Sequence, residues 1–382
     1  MTSAAALPQP LPSRAVGRDD AVDMIKGLAC LLMVVAHVPF PHARWLAVGT
    51  EASVLFFAST GMNLWHISAR ARGDEARIAA NGLFLIFAGF ANNYVQGTLW
   101  QADVFQSAGM AMIAMLALRW LLPRFWTWLF PLPYALHYLN AHLFYWKTTA
   151  GGVSSFFLAP GLFPLLPWLT FYLLGAHLKR FPARSMRIAI ALASLLALAA
   201  VVAAHGFRYD KFWMSPDYWL LGLAYATLLL DLFRYWLAHR PRRRAPWAEL
   251  RYWGANSLVF YILHAFVIRL LQIWWPSGLF LFVAAVAGTA ALLRAGLALQ
   301  DWTRARGPWP VLAVCAALSG GVLALEATLL HGYYLRTFSS FILTLSFVAV
   351  YPAFKNLSAL LPRRRSAIMA SASCPAPSGF LP

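Results

Sequence analysis

The chain has 382 residues, of which 61% are hydrophobic and 12% charged, with a formal net charge of +18. That polar fraction is too small to cover a soluble domain of this length, and apolar stretches near twenty residues recur along nearly the whole chain, as repeated membrane spans require. The absence of alternating ten-residue segments excludes a transmembrane barrel, and three cysteines exclude a disulfide framework.

The first twenty residues, MTSAAALPQPLPSRAVGRDD, lack the apolar centre of a signal peptide. They form the end of a cytoplasmic segment, 1–21, so the first span is expected to do the targeting. Twelve candidate spans follow. They cover Val22–Phe40, Trp45–Ser68, Ile78–Val95, Asp103–Leu122, Phe125–Phe144 and Pro160–Leu178, then Met186–His205, Pro216–Trp236, Ala255–Trp275, Leu279–Leu299, Trp309–Leu330 and Leu335–Leu360. The fifth holds Pro131 and Pro133 and is the first to fall if the count is ten or eleven. The expected fold is therefore all-α, a polytopic bundle of about 10–12 spans over 22–360. The tail 361–382, small, polar and Pro-containing, is expected to be disordered and cytoplasmic.

The basic residues test this map. With the N-terminus in the cytoplasm, six of the 31 lysines and arginines (Arg44, Lys147, Arg208, Lys211, Arg269 and Arg336) fall on the far side, and the other 25 fall in cytoplasmic segments or adjoining span ends. Such a bias sets orientation with both termini inside. It also accounts for the positive charge without nucleic acid as a partner; the partner it implies is the lipid bilayer.

Ionisable side chains inside spans are costly and point to function. His37, Glu51, His264, Arg269 and Glu326 are the candidates. A neutral histidine can take a proton and return it; Glu51, needing a partner when buried, is expected to find His37 or Arg44. Lys26 and His37 stand eleven residues apart, on nearly one face of a helix and about 16 Å from each other. Each has a plainer reading as well, His37 as a polar helix end and Lys26 as a membrane-surface anchor paired with Asp23. On WGANSLVFYILHAF, Trp253–Phe266, the residues Asn256, Tyr261 and His264 share a span; Tyr261 and His264 are one turn apart, and Asn256 doubles as a helix cap. The chain carries no Walker-type phosphate loop, no Cys-x-x-Cys pair and no His-Glu-x-x-His site, so no metal is expected.

Four stretches resemble one superfamily. VDMIKGLACLLMVVAH, Val22–His37, resembles the first span of integral-membrane acyltransferases, which include the acyltransferase-3 and heparan-α-glucosaminide N-acetyltransferase-like proteins. Asp23, Lys26, Gly27 and His37 occupy the motif positions, with lysine where the family has arginine. DVFQSAGMAMI, Asp103–Ile113, FPLLPWLTFYLLG, Phe163–Gly175, and NSLVFYILH, Asn256–His264, are similar to later motifs of the family, in the same order. The resemblance implies acyl transfer, usually of acetyl, from cytoplasmic acyl-CoA to a sugar or glycan hydroxyl or amine. It implies His37 as catalytic base or acyl carrier and Lys26 as a contact for the donor's phosphates. Lysine keeps the charge there and loses the bidentate fork. Asn256, Tyr261 and His264 are then expected around the acceptor or thioester; Glu51 as the partner of His37 is a pairing drawn from its burial alone. A bacterial inner membrane is the implied location, and a homo-oligomer is left open. The competing class is a twelve-span secondary transporter of a small solute, against which stands the lack of matching halves with broken spans in corresponding positions.

Overall fold

The computed structural model describes residues 19–40, 49–70, 75–96, 99–143, 153–158, 162–239, 245–328, 339, 342–343 and 346–351. The N-terminal segment before Asp19, Arg44, much of the twelfth candidate span and the tail lie outside them. Among the described residues every regular element is helical.

Helix α1, Asp20–His37, begins on Asp19, whose side chain accepts from the Ala21 amide at 3.1 Å, and carries Asp20 and Asp23 in its first turn, where carboxylates favour the positive end of a helix. It stops at His37 because Val38 is extended and Pro39 follows. Helices α2, Ala52–Arg70, α3, Glu75–Gln96, and α4, Val104–Leu121, come next, then α5, Leu132–Leu143, α6, Leu165–Arg180, α7, Arg184–His205, and α8, Pro216–His239. Helices α9, Ala245–Ala255, α10, Ser257–Leu271, α11, Gly278–Ala305, and α12, Pro308–Thr328, complete the series.

Helix α6 is the post around which the first half assembles. Every residue from Pro167 to Leu178 is buried, including Trp168, Phe171 and Tyr172, as expected of a helix apolar on all sides. It packs most closely on α2, and glycine makes this possible. A methyl group on Gly175 would sit 1.8 Å from the Ala58 carbonyl oxygen, and one on Gly61 would sit 1.9 Å from that of Tyr172. Such backbone-to-backbone approach is the way helices associate where no water drives them together. A second core gathers α1, α10 and α11 around Phe260, Leu263 and Leu281.

Helix α7 shows what surrounds the bundle. It buries only Arg187, Ala191 and Ser194 and exposes Leu192, Leu195 and Leu196. An outward apolar face on so long a helix suits lipid. Arg187 is held by Asp231 of α8 at 2.7 Å, with Arg184 on the other carboxylate oxygen at 3.0 Å. Four helices are long and apolar enough to cross a membrane: Val104–Leu121, Arg184–His205, Pro216–His239 and Gly278–Trp302. A fifth joins them if the bent pair Trp247–Ala255 and Ser257–Leu271 is one span. The chain therefore has the make-up of an all-α membrane bundle, with fewer such helices among the described residues than the twelve expected.

One expected span is broken and another follows a sharp corner, each for an identifiable reason. The stretch Phe125–Phe144 is a 3-10 turn, Trp126–Leu129, followed by the twelve-residue α5; Pro131 and Pro133 forbid one continuous helix. The span expected over Ala255–Trp275 is α10, Ser257–Leu271, and it is met at 95° by α9, Ala245–Ala255, which lies before its expected start. At the corner Asn256 turns its amide back to the Tyr252 carbonyl at 2.9 Å, a local bond that competes with helix propagation.

The α2–α6 approach yields a direct test. Gly175→Val should lower the unfolding midpoint of the detergent-solubilised protein, costing about 1–3 kcal/mol. Gly320→Val in α12, where an added carbon meets nothing within 4 Å, should leave that midpoint unchanged.

Candidate functional site

One cavity of about 820 Å³ brings together several ionisable and polar side chains that apolar helices would otherwise exclude. Its walls come from the end of α1, the start of α2, α3, the start of α4, the 206–215 connection, α10 and α12. His37, Asn92, Asp103, Lys211, Tyr261, His264 and Arg269 all line it.

The two histidines meet there. Their ring centroids are 5.0 Å apart with planes at 70°. His37 stands in the last turn of α1, and its Nδ1 bonds the Met33 carbonyl at 2.8 Å. His264 is buried in α10, its Nδ1 bonded to the Tyr261 carbonyl. A carbonyl only accepts, so each Nδ1 must carry the proton and each Nε2 holds a lone pair. The Nε2 of His264 has no hydrogen-bond partner among the described residues. The site thus presents two imidazoles, both in the tautomer that a base requires.

Asp103 anchors the wall opposite. It is the N-cap of α4, with its side chain on the Val104 amide at 2.6 Å and its own amide donating to Gln106 Oε1 at 2.9 Å. The same carboxylate accepts from Tyr261 Oη at 3.2 Å and from Asn92 Nδ2 at 3.1 Å. A helix cap has become a three-way tie among α3, α4 and α10, and the carboxylate is satisfied in doing so.

Lys211 enters from the 206–215 connection. Its ammonium lies 4.5 Å from the centre of the Phe163 ring, within cation–π range. Burial pushes its pKa down to about 8, against the opposing pull of Glu51 and Asp103. Arg269, exposed in the last turn of α10, makes no hydrogen bond or ion pair among the described residues.

The expected site residues divide. His37, Tyr261 and His264 are brought together. Glu51 is not paired with His37: it sits in the turn 49–51 before α2 and accepts from Tyr209 Oη at 2.7 Å. Tyr209 also contacts Thr50 Oγ1 at 3.0 Å. The partner is therefore the 206–215 connection, where the aromatic hydroxyl meets the carboxylate first; Arg44 lies outside the described residues. Asn256 forms the corner between α9 and α10 and does not line the cavity. Lys26 lies on α1 with His37 yet does not reach the cavity wall. The side chain of Glu326, in α12, lies outside the described set. Among the described residues no group of three or more His, Cys, Asp or Glu side chains could hold a metal ion.

Sequence reasoning missed Asp103 as a site residue, together with Asn92, Tyr209 and Lys211. Signals existed. An Asn92–Asn93 pair interrupts an apolar helix, and Lys211 is one of the few bases on the sparsely charged side. Comparison with protein-family models and with curated proteins gives no match.

Two measurements follow from this geometry. Asp103→Ala removes a cap and leaves the Tyr261 and Asn92 donors unmatched, so stability should fall by at least about 2 kcal/mol in denaturant titrations; Asp103→Asn, which keeps an acceptor oxygen, should cost less. As pH rises through about 8, Lys211 should lose its proton. Its modification by an amine-acylating reagent, followed by peptide mass spectrometry, should therefore rise with a midpoint near 8, whereas a midpoint near the ordinary 10.5 would contradict its buried position.

Proposed function

We propose that this protein is an integral-membrane acyltransferase that moves an acyl group, acetyl in the simplest case, from cytoplasmic acyl-CoA to a sugar or glycan hydroxyl or amine. The observation that carries the reading is the His37–His264 pair on the wall of an 820 Å³ cavity, each ring held by a main-chain carbonyl so that Nε2 is the basic nitrogen. Acyl transfer needs a base of this kind at the acceptor, in a space that admits little water. The resemblance of Val22–His37 and three later stretches to membrane acyltransferases supports the same reading.

The reaction balances without a further reagent. His37 Nε2 takes the proton of the acceptor hydroxyl while the oxygen attacks the thioester carbonyl carbon. The new C–O bond forms, the C–S bond breaks, and the departing sulfur receives the proton from Nε2. The products are the acyl ester and free CoA thiol. His264 lies against His37 as a second imidazole able to orient the first. Tyr261 is a positioning residue, since its hydroxyl is committed to Asp103 and ties α10 to α4.

Lys26 is assigned to the donor's phosphates at the cytoplasmic end of α1. The helix rise puts it about 16 Å from His37 along one continuous helix, a span comparable to the pantetheine arm. The excess of basic residues on one side supports an inner-membrane protein with both ends in the cytoplasm.

The test uses purified protein and labelled acetyl-CoA. Wild type should bind and turn over the donor. His37→Ala should keep binding and lose turnover by about 10²- to 10⁴-fold. Lys26→Ala should weaken CoA more than it weakens the acetylated pantetheine fragment without nucleotide. Absence of CoA binding, with solute uptake into proteoliposomes, would replace this reading with transport.

A further inference from the structure

The cavity is larger and greasier than a sugar needs. Its volume of about 820 Å³ is near the upper end of ordinary small-molecule sites, about 300–1,000 Å³. Much of its wall is aromatic. Phe84 stacks on Phe347 at 5.3 Å, Phe105 packs on the same ring at 5.4 Å, and Phe87, one turn along α3 from Phe84, also lines the cavity and is 70% exposed. On a helix of a membrane bundle such an exposed side chain meets lipid. The phenylalanine row therefore runs from the lipid-facing side to the histidines.

Two cations stand on the same wall. Lys211 and Arg269 both line the cavity that His37 lines. Among the described residues neither has a carboxylate within ion-pair distance. Two acids are nearby, Asp103 engaged through both oxygens and Glu51 through one. Asp103 accepts from Val104, Tyr261 and Asn92, and one oxygen of Glu51 accepts from Tyr209 while the residue itself does not line the cavity. Two cations without direct counter-ions on one cavity wall, one partly buried and one exposed, favour an incoming anion. A lysine and an arginine together suit a phosphate, which offers several oxygens to several donors.

We infer that the acceptor is an amphiphile with a phosphate headgroup, a lipid-linked phosphate in chemical terms. Its phosphate lies between Lys211 and Arg269, and its hydrocarbon chain follows Phe84, Phe105 and Phe347 out past Phe87 into the bilayer. The reacting hydroxyl or amine then sits near the phosphate and within reach of His37. The word acceptor rests on the acyl-transfer reading; the binding site itself does not. The feature that excludes a soluble phosphate is the apolar row, and the feature that excludes a neutral lipid is the cation pair.

The test is equilibrium binding in nanodiscs without any acyl donor. Three probes are compared: farnesyl phosphate, farnesol, and inorganic phosphate. Wild type should bind farnesyl phosphate at least about tenfold more tightly than farnesol and far more tightly than inorganic phosphate. Arg269→Gln, at an exposed position where folding is not at risk, should lose most of the preference over farnesol, and the double variant with Lys211→Gln should lose all of it. Phe87→Ser should weaken both farnesyl probes alike and leave their ratio unchanged. Equal binding of farnesol and farnesyl phosphate by wild type would overturn the inference. So would retention of the preference by the double variant, or inorganic phosphate binding as tightly as the amphiphile. Failure here with intact acetyl-CoA turnover would remove only the acceptor class. The converse, phosphate-dependent lipid binding without turnover, would remove the acyl-transfer reading and leave the lipid site.

Discussion

A carboxylate in an apolar bundle is costly unless its oxygens are satisfied, and the arrangement of the cavity turns on how Asp103 meets that condition. Its oxygens accept from the first turn of α4, from Asn92 on α3 and from Tyr261 on α10. Each bond alone is ordinary. Together they fix three helices at the depth where a cavity would otherwise let them drift. Tyr261 then presents its main-chain carbonyl to His264 Nδ1, so the tautomer of one imidazole depends on a tie that begins at the cap of another helix.

The remaining polar groups are arranged in layers of burial. Glu51 is fully buried and is held by a tyrosine hydroxyl, a weaker partner than a cation. Tyr218 in turn holds the Thr50 carbonyl at 3.0 Å. The 206–215 connection therefore does more than join two helices. It supplies Tyr209 to Glu51 and Lys211 to the cavity, and so closes one wall with groups from outside the spans. At the opposite end of the bundle the polar ties are ionic: Asp19 bonds Lys179 at 2.8 Å, and Asp20 meets Arg251 at 3.3 Å. Those pairs are partly exposed, and their contribution is correspondingly small.

What could be read in the sequence was whatever depends on local composition. The bounds expected for the first span agree closely with α1, and those for Met186–His205 and Pro216–Trp236 agree with α7 and α8. Hydropathy averages residues over a window and does not register a corner. It set the start of a span at Ala255, close to that of α10, and gave no sign of α9 or of the 95° corner at Asn256 that joins the two. The prolines at 131 and 133 were visible, yet the turn they force had to be seen in three dimensions. The site shows the same division. His37, Tyr261 and His264 were singled out because ionisable or polar groups are costly in spans. That His37 meets His264 while Glu51 meets Tyr209 is a matter of tertiary contact, which no spacing along the chain reveals. Asp103 hid behind its role as an N-cap, a role so common that it draws no notice.

The corner at Asn256 has a mechanical consequence. Helix α9 is pressed against α1 so closely that a carbon added to Gly254 would lie 1.7 Å from the Asp23 carbonyl oxygen. Helix α10 leaves that contact at 95° and carries His264 back to the far end of α1, where His37 waits. The two imidazoles are thus both gauged from a single rod, one along its length and one by way of a bracket fastened near its other end. Residues of α12 such as Cys315 and Ser319 wall the chamber without entering either of these fastenings, so a change there alters its capacity and not the anchoring of the rings. Substrate range and the spacing of the chemistry can then change independently over evolutionary time.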